Sequence, residues 1–445
     1  MGLFKVPKRN NISTQKILDL VENEEVSKPK ITLRGTSLSA KIQAIGETVE
    51  RNLGAEKDNY LLIQTKEEWL EYCKQAVEDG IVALDTESTS LNNILGDIVG
   101  ISLQSPSQKA MYIPIGHIST ITEQLLPNQI KKEDVKEGLE IIKNCKEIYM
   151  HNAYFDRVLL YQQFGIWVPC TFDSLIAANL LNENEPHGLK ALHNKYCEHG
   201  DGSGHKFAEL FGSEIPFCYV PYNIGYIYAA RDAMLTLDLV NFQKPFLTVG
   251  KPQCTKYGLE RISDIFWNTE MPILDVVCDM KVRGIKFDFK RAEELKEKYT
   301  KLRDRAKKEF DKSLEPVEKE IKSRQKMYND IDYPVNYNSP SQIKIILYDI
   351  LKIKSLVKKS PQGTGKAVLD AILESNEYKD GLVGNIARAL GEVKKYDKLI
   401  GTFIDKLTKE AVLHHGKIHA NFNQCGTSTM RFSSSDPKQN WAMAA

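Results

Sequence analysis

What this sequence lacks narrows its class first. None of its eight cysteines forms a C-x-x-C pair, so scattered reduced thiols in a cytoplasm-like compartment fit better than a disulfide framework. No run of about 18 apolar residues suggests a membrane span. The N-terminus, Met1-Gly-Leu-Phe-Lys-Val-Pro-Lys-Arg9, has no apolar core long enough for a signal peptide. An excess of one charge is missing too: 60 Lys and Arg face 59 Asp and Glu, a formal net charge of +1. Any affinity for nucleic acid must then come from local patches. Gly363-Thr-Gly-Lys366 falls short of a phosphate loop and reads as a turn before the helix that follows. His193, Cys197, His199 and His205 gather potential zinc ligands, but at a spacing that matches no finger or knuckle.

What is present is ordinary in bulk and specific in one place. At 445 residues, 42% hydrophobic and 27% charged, the chain should fold into roughly two to four domains. Its organising stretch is Ile81-Val-Ala-Leu-Asp85-Thr-Glu87, an apolar run that ends on two carboxylates one residue apart. The run reads as a strand buried on both faces, and alternation along a strand puts Asp85 and Glu87 on the same face. Two carboxylates that close raise each other's pKa unless a cation lies between them, so the pair is a plausible seat for Mg²⁺ or Mn²⁺. Taken alone, the same pattern also reads as a strand leaving through a polar loop.

Around that strand the chain alternates helices and strands to about residue 245, which predicts an α/β domain. Tyr60-Leu-Leu-Ile, Ile98-Val-Gly-Ile-Ser-Leu and Ala110-Met-Tyr-Ile read as further strands, and Glu147-Ile-Tyr-Met as another that ends at His151-Asn152. The helix from Ala153 places Asp156 one turn after Asn152. Later, Tyr228 and Asp232 lie four apart in a strongly helical segment and share a face. Asp173, in Thr171-Phe-Asp-Ser, reads as a helix N-cap. Singly, each of these also fits a solvated or core role.

In order and spacing, D-x-E on a strand, N-x-x-x-D about 65 residues on and Y-x-x-x-D about 70 residues later resemble the three motifs of the 3′-to-5′ exonucleases of the ribonuclease H-like superfamily. The resemblance implies two divalent metal ions, Mg²⁺ or Mn²⁺. One lowers the pKa of a water; the other stabilises the departing 3′ oxygen. It further implies that Asp85 bridges both ions, that Glu87 and Asp232 complete the first, that Asp156 serves the second, and that Tyr228 orients the attacking water. Leu91 matches an apolar wedge against the terminal base, and Asn152 falls within the second motif.

Past residue 250 a second resemblance begins. Glu270 to Gly284 is an amphipathic helix closed by glycine. With Asn338-Ser-Pro340-Ser-Gln342, Lys398-Leu-Ile-Gly-Thr402, Gly416-Lys-Ile-His419 and Gly426-Thr-Ser-Thr429-Met-Arg431-Phe-Ser433, it is similar in order to the polymerase region of family A DNA polymerases, the bacterial repair and bacteriophage replicative type. Lys290 to Lys326, with 14 Lys or Arg against 9 Asp or Glu, reads as two charged helices broken near Pro316. In that family this region is the thumb, which grips primer-template duplex, and Arg431 would reach the minor groove.

Two departures stand out: Met430 replaces the glycine of T-G-R, and Pro437-Lys-Gln-Asn-Trp441 is one residue short of the family pattern. The family's palm aspartates and fingers would lie beyond the last residue. The expectation is therefore a chain without a complete nucleotidyl-transfer site, needing a second polypeptide with palm and fingers for nucleotide addition. Ile418, Phe422, Phe432 and Trp441 should then lack cover.

The resulting expectation is a ribonuclease H-like exonuclease domain, a mixed sheet flanked by helices, at residues 59–250. A polar arm precedes it at 1–58, and a mainly α-helical thumb with the start of the palm follows at 251–445. Its function would be proofreading hydrolysis of single-stranded or frayed DNA 3′ ends during replication, in the cytoplasm of a bacterial or phage-infected cell, with no membrane partner. The alternatives are a stand-alone exonuclease of the ribonuclease D kind acting on RNA, and a non-catalytic DNA-binding module.

Overall fold

The computed structural model describes residues 38–197, 207–211, 215–427 and 431–435. They form two compact units. One is Ile285–Ile418; the other runs to Gly284 and resumes at His419.

A six-stranded mixed sheet organises the latter unit. Its strands are β1 (Tyr60–Leu62), β2 (Ile81–Ser88), β3 (Ile98–Gln104), β4 (Ala110–Pro114), β5 (Glu147–Met150) and β6 (Phe172–Asp173), lying in the order β1-β4-β3-β2-β5-β6. β2, β3 and β4 form an antiparallel meander, while β5 joins β2 and β6 joins β5 in parallel. Every residue of β3 and β4 is buried, as expected of strands in a sheet covered on both faces. The covering helices are α1 (Leu38–Leu53), α2 (Lys66–Asp79), α3 (Lys132–Ile142), α4 (Ala153–Phe164), α5 (Ser174–Leu181), α6 (Leu189–Tyr196), α7 (Tyr222–Gln243) and α8 (Met271–Arg283). Helix α1 lies within the stretch read as a polar arm; its Ile45, Val49 and Leu53 are buried.

Local chemistry sets the entry to the organising strand. The Thr65 hydroxyl accepts from the Glu68 N–H to start α2, and Gly80, at φ 74°, ends it in the left-handed conformation. Glycine takes that conformation without strain, so the chain turns at once into β2. Helix α7 crosses the sheet on small residues: Ala229, Ala230 and Ala233 are fully buried, and the Ser102 hydroxyl of β3 donates to the Ala229 carbonyl at 2.8 Å. This close approach brings Tyr228 and Asp232 over β2.

The contact between α2 and α3 is equally tight. A Cβ on Gly138 would lie 2.2 Å from Trp69 Nε1, whose indole is fully buried and donates to the Asp134 carbonyl at 3.1 Å. Gly138→Ala should therefore destabilise this unit by about 1–3 kcal/mol through overpacking. Thermal unfolding reads this directly, and an unchanged melting temperature would contradict the contact.

In the second unit α9 (Phe289–Ser313) and α10 (Glu318–Tyr328) are separated by a turn at Glu315–Val317, the break expected near Pro316. Helix α9 packs along α11 (Leu382–Lys398). Phe310, Ile386 and Leu390 lie in the core beneath them. Several basic residues pair within their own helix, Lys301 with Glu297 and Lys307 with Asp311; such exposed pairs add little stability.

The expected uncovered apolar surface is not found at two of its four residues. Ile418 is 3% exposed and pairs with Ile285. Phe422 packs partly buried against the core of its own unit. The cover comes from the chain itself, and Lys281, buried on α8, fixes the segment that begins at His419 by donating to the His419 carbonyl and to Asn421 Oδ1 at 2.7 and 2.6 Å. Phe432 is 46% exposed, and Trp441 lies outside the described residues. Among the described residues no helix is long and apolar enough to cross a membrane.

Candidate active site

The site is built where β2 outruns its parallel neighbour. Pairing with β5 stops at Ala83 and Tyr149, while pairing with β3 continues through Asp85–Ser102 and Glu87–Gly100 to a bulge at Glu87/Ser88. Thr86, freed from the parallel rung, donates both its N–H and its hydroxyl to Asp156 Oδ1, at 3.0 and 2.5 Å. The bulge ends the ladder and releases the chain toward Leu91.

Strand alternation and the 3.6-residue helical repeat then meet. Asp85, Glu87 and Asp232 bring carboxylate oxygens within 4.8 Å of one another, the only such group among the described residues. Asp232 Oδ1 is buried and has no hydrogen-bond partner. An unsatisfied buried carboxylate oxygen is costly. Three hard oxygens with one orphaned are the donor chemistry of Mg²⁺ or Mn²⁺, so the residues fit a divalent ion.

The electrostatics agree. Burial raises the Asp85 pKa well above the usual carboxylate range, and the charges of Asp156, Asp232 and Glu87 raise it further. Glu87 is pushed up to about 8 by burial and then by Asp232. Burial lifts Asp156 to about 7 against the two Thr86 hydrogen bonds. Tyr228 is held as a phenol, its pKa raised by burial and by Asp232, Glu87 and Asp85.

Asp156 does not join the 4.8 Å group, although its charge acts on Asp85. Asn152 is exposed and occupies the left-handed region at φ 68°, ψ 49°, a conformation asparagine tolerates well. Its N–H and that of Ala153 donate to Asp173. Asp173 is the N-cap of α5, accepting from Leu175 and Ile176 as the sequence suggested. Leu91 is 92% exposed. Arg431 is exposed between β7 (Asn421–Asn423) and β8 (Ser433–Ser435). The zinc reading finds no support in the described part of its segment: His193 contacts Asp238 at 3.2 Å, while His199 and His205 lie outside the described residues.

Two participants were not foreseen. Thr86 is the residue between the paired carboxylates, and its hydrogen bonds depend on where β5 stops. Lys190 on α6 donates to the Tyr228 hydroxyl at 2.7 Å and to Asp232 Oδ2 at 2.8 Å. Nothing local distinguishes it among 60 Lys and Arg; the one available signal was the surplus of negative charge needing a cation.

Comparison with known proteins follows the same outline. A family model described as 3′-5′ exonuclease matches residues 60–245, and one described as DNA polymerase family A matches residues 301–441. DNA polymerase I of Chloroflexus aurantiacus is 28% identical over 364 residues, covering 80% of this chain and 34% of the relative. That of Borreliella burgdorferi is 26% identical over 386 residues, covering 86% and 38%. The DNA polymerase of Escherichia phage T5 is 23% identical over 403 residues, covering 86% and 43%. The chain thus spans roughly a third to two-fifths of the length of these relatives. Among solved structures, the POL domain of Pol1 from M. smegmatis, in complex with DNA primer-template and dNTP, shares the fold at a TM-score of 0.55 and 16% identity, covering 83% of this chain and 54% of that one. Both matched models and these polymerase relatives lead to one conclusion: the chain belongs to family A of the DNA polymerases and carries that family's 3′-5′ exonuclease domain.

Proposed function

We propose that this chain hydrolyses DNA from the 3′ end with two divalent metal ions, as the proofreading part of a family A polymerase acting in replication inside a bacterial or phage-infected cell. The exonuclease domain would occupy residues 59–250 and the thumb and start of the palm 251–445. The observation that carries the reading is the convergence of Asp85, Glu87 and Asp232 within 4.8 Å, with Asp232 Oδ1 left without a partner.

Asp85, Glu87 and Asp232 would hold the first ion, with Asp85 shared and Asp156 serving the second. When bound, the ions supply a water of lowered pKa and charge stabilisation at the leaving oxygen. Tyr228 would orient the water through its hydroxyl. Leu91, fully presented to solvent, would wedge against the terminal base, with Asn152 and Arg431 contacting the DNA. A terminal nucleotide must leave its stack to enter, and unstacking costs a few kcal/mol at a paired end but less at a mismatch. Single-stranded and mismatched 3′ ends should therefore be degraded faster than matched ends. Equal rates on all three would remove the proofreading reading.

Protonation links the site to stability. Glu87 and Asp156 have pKa values of about 8 and about 7 in the fold, against ordinary values of 4.5 and 3.8. Each binds more protons folded than unfolded, so stability falls as pH rises from the ordinary value to the native one. The buried His117 and His151, each held down to about 4, act in the opposite sense up to about pH 6.5, so the metal-free protein should lose melting temperature between about pH 6.5 and about pH 8, and Mg²⁺ should restore more of it at the upper end of that range. A Mg²⁺ stabilisation independent of pH would contradict the assigned ligands.

A further inference from the structure

The carboxylate cluster has a cation of its own. Lys190 sits with its side chain 15% exposed, its ammonium 2.8 Å from Asp232 Oδ2, 2.7 Å from the Tyr228 hydroxyl and 3.9 Å from the Tyr228 ring centroid. This is a held position. Helix α6 is docked on α7 by Leu192 against Leu239, by Tyr196 stacked on Phe242 at 5.1 Å and by His193 on Asp238. Those contacts lie one to three turns along α7 from Asp232, so they fix the start of α6 over the site.

A divalent ion seated on Asp232 would meet this ammonium as a like charge competing for the same carboxylate. The hydrogen bond to Tyr228 has a different consequence. By accepting from Lys190, the hydroxyl oxygen has one lone pair occupied, and its hydrogen is directed away from the lysine.

We propose that Lys190 is the resident counter-ion of the cluster, a positioning residue that holds Asp232 until a divalent ion displaces it and that thereafter keeps the Tyr228 hydroxyl aimed. The inference rests on the metal-dependent reading given above. It separates Lys190 from a merely structural ion pair, because removing a structural pair would loosen the site and weaken metal binding, whereas removing a competitor tightens it.

The test is Mn²⁺ binding to the full chain, counted from the loss of the free-ion electron paramagnetic resonance signal. Lys190→Met and Lys190→Gln should each bind Mn²⁺ roughly tenfold more tightly than the unsubstituted protein, since a partly buried ion pair need no longer be broken. Lys190→Arg, which keeps the charge, should stay close to it. The glutamine variant retains a donor for Tyr228 and guards against a methionine variant that fails to fold. In hydrolysis at saturating Mn²⁺, Lys190→Met, Tyr228→Phe and the double variant should have the same kcat within about twofold, the non-additivity expected of residues that act as one unit. Unchanged or weaker Mn²⁺ binding by both neutral variants, or additive losses in kcat, would overturn the proposal for Lys190. No Mn²⁺ binding by the unsubstituted protein would instead overturn the metal reading on which it rests.

Discussion

Asp85→Ala is expected to abolish 3′ hydrolysis, and Tyr228→Phe to leave a measurable rate. Asp85 is the carboxylate on which the other three acidic residues act together, and in the proposed mechanism it would be the ligand common to both ions. Its loss removes charge stabilisation worth several kcal/mol; about 4 kcal/mol is roughly a thousandfold in rate. The Tyr228 hydroxyl, by contrast, touches Lys190 and leaves all the carboxylates in place when it is removed. A single hydrogen bond to a charged group is worth about 1.5–3 kcal/mol, roughly tenfold to a hundredfold. Single-turnover hydrolysis of a labelled oligonucleotide measures both. Equal inactivity of the two variants, or an active Asp85→Ala, would refute the division of roles.

Withdrawal of divalent ions should have an effect as large. Tyr228 is a poor source of phenolate, because burial and three carboxylates raise its pKa. Lys190 is committed to Asp232 and Tyr228. Burial and mutual repulsion favour protons on Glu87 and Asp85, which leaves the cluster without a strong anionic base until a cation enters. Activity should therefore fall to background in chelator and return with added Mg²⁺ or Mn²⁺. Full activity in chelator would contradict the metal assignment.

How much of this could be read in advance follows from the range of each interaction. The alternation that put Asp85 and Glu87 on one face and the four-residue spacing of Tyr228 and Asp232 are local rules, and both elements formed as the pattern required. The N-cap role of Asp173 was legible for the same reason. The attachment of Thr86 to Asp156 depends on the point at which β5 ends, three residues short along β2, and no local pattern encodes that. Lys190 reaches the site through the docking of one helix on another across 42 residues of sequence. The burial of Ile418 and Phe422 was missed because a resemblance suggested an absent neighbour, while the strand at Ile285 and the core beside α8 provide cover.

The proofreading function is tested most directly by a side-by-side degradation of single-stranded DNA and RNA of one sequence, both labelled at the 5′ end, with Mg²⁺ present. The DNA is expected to shorten stepwise from its 3′ end, faster than the RNA, and Asp85→Ala to stop it. A clear preference for RNA would favour the ribonuclease D reading, and shortening of neither strand would contradict a hydrolytic role for Asp85, Glu87 and Asp232 altogether.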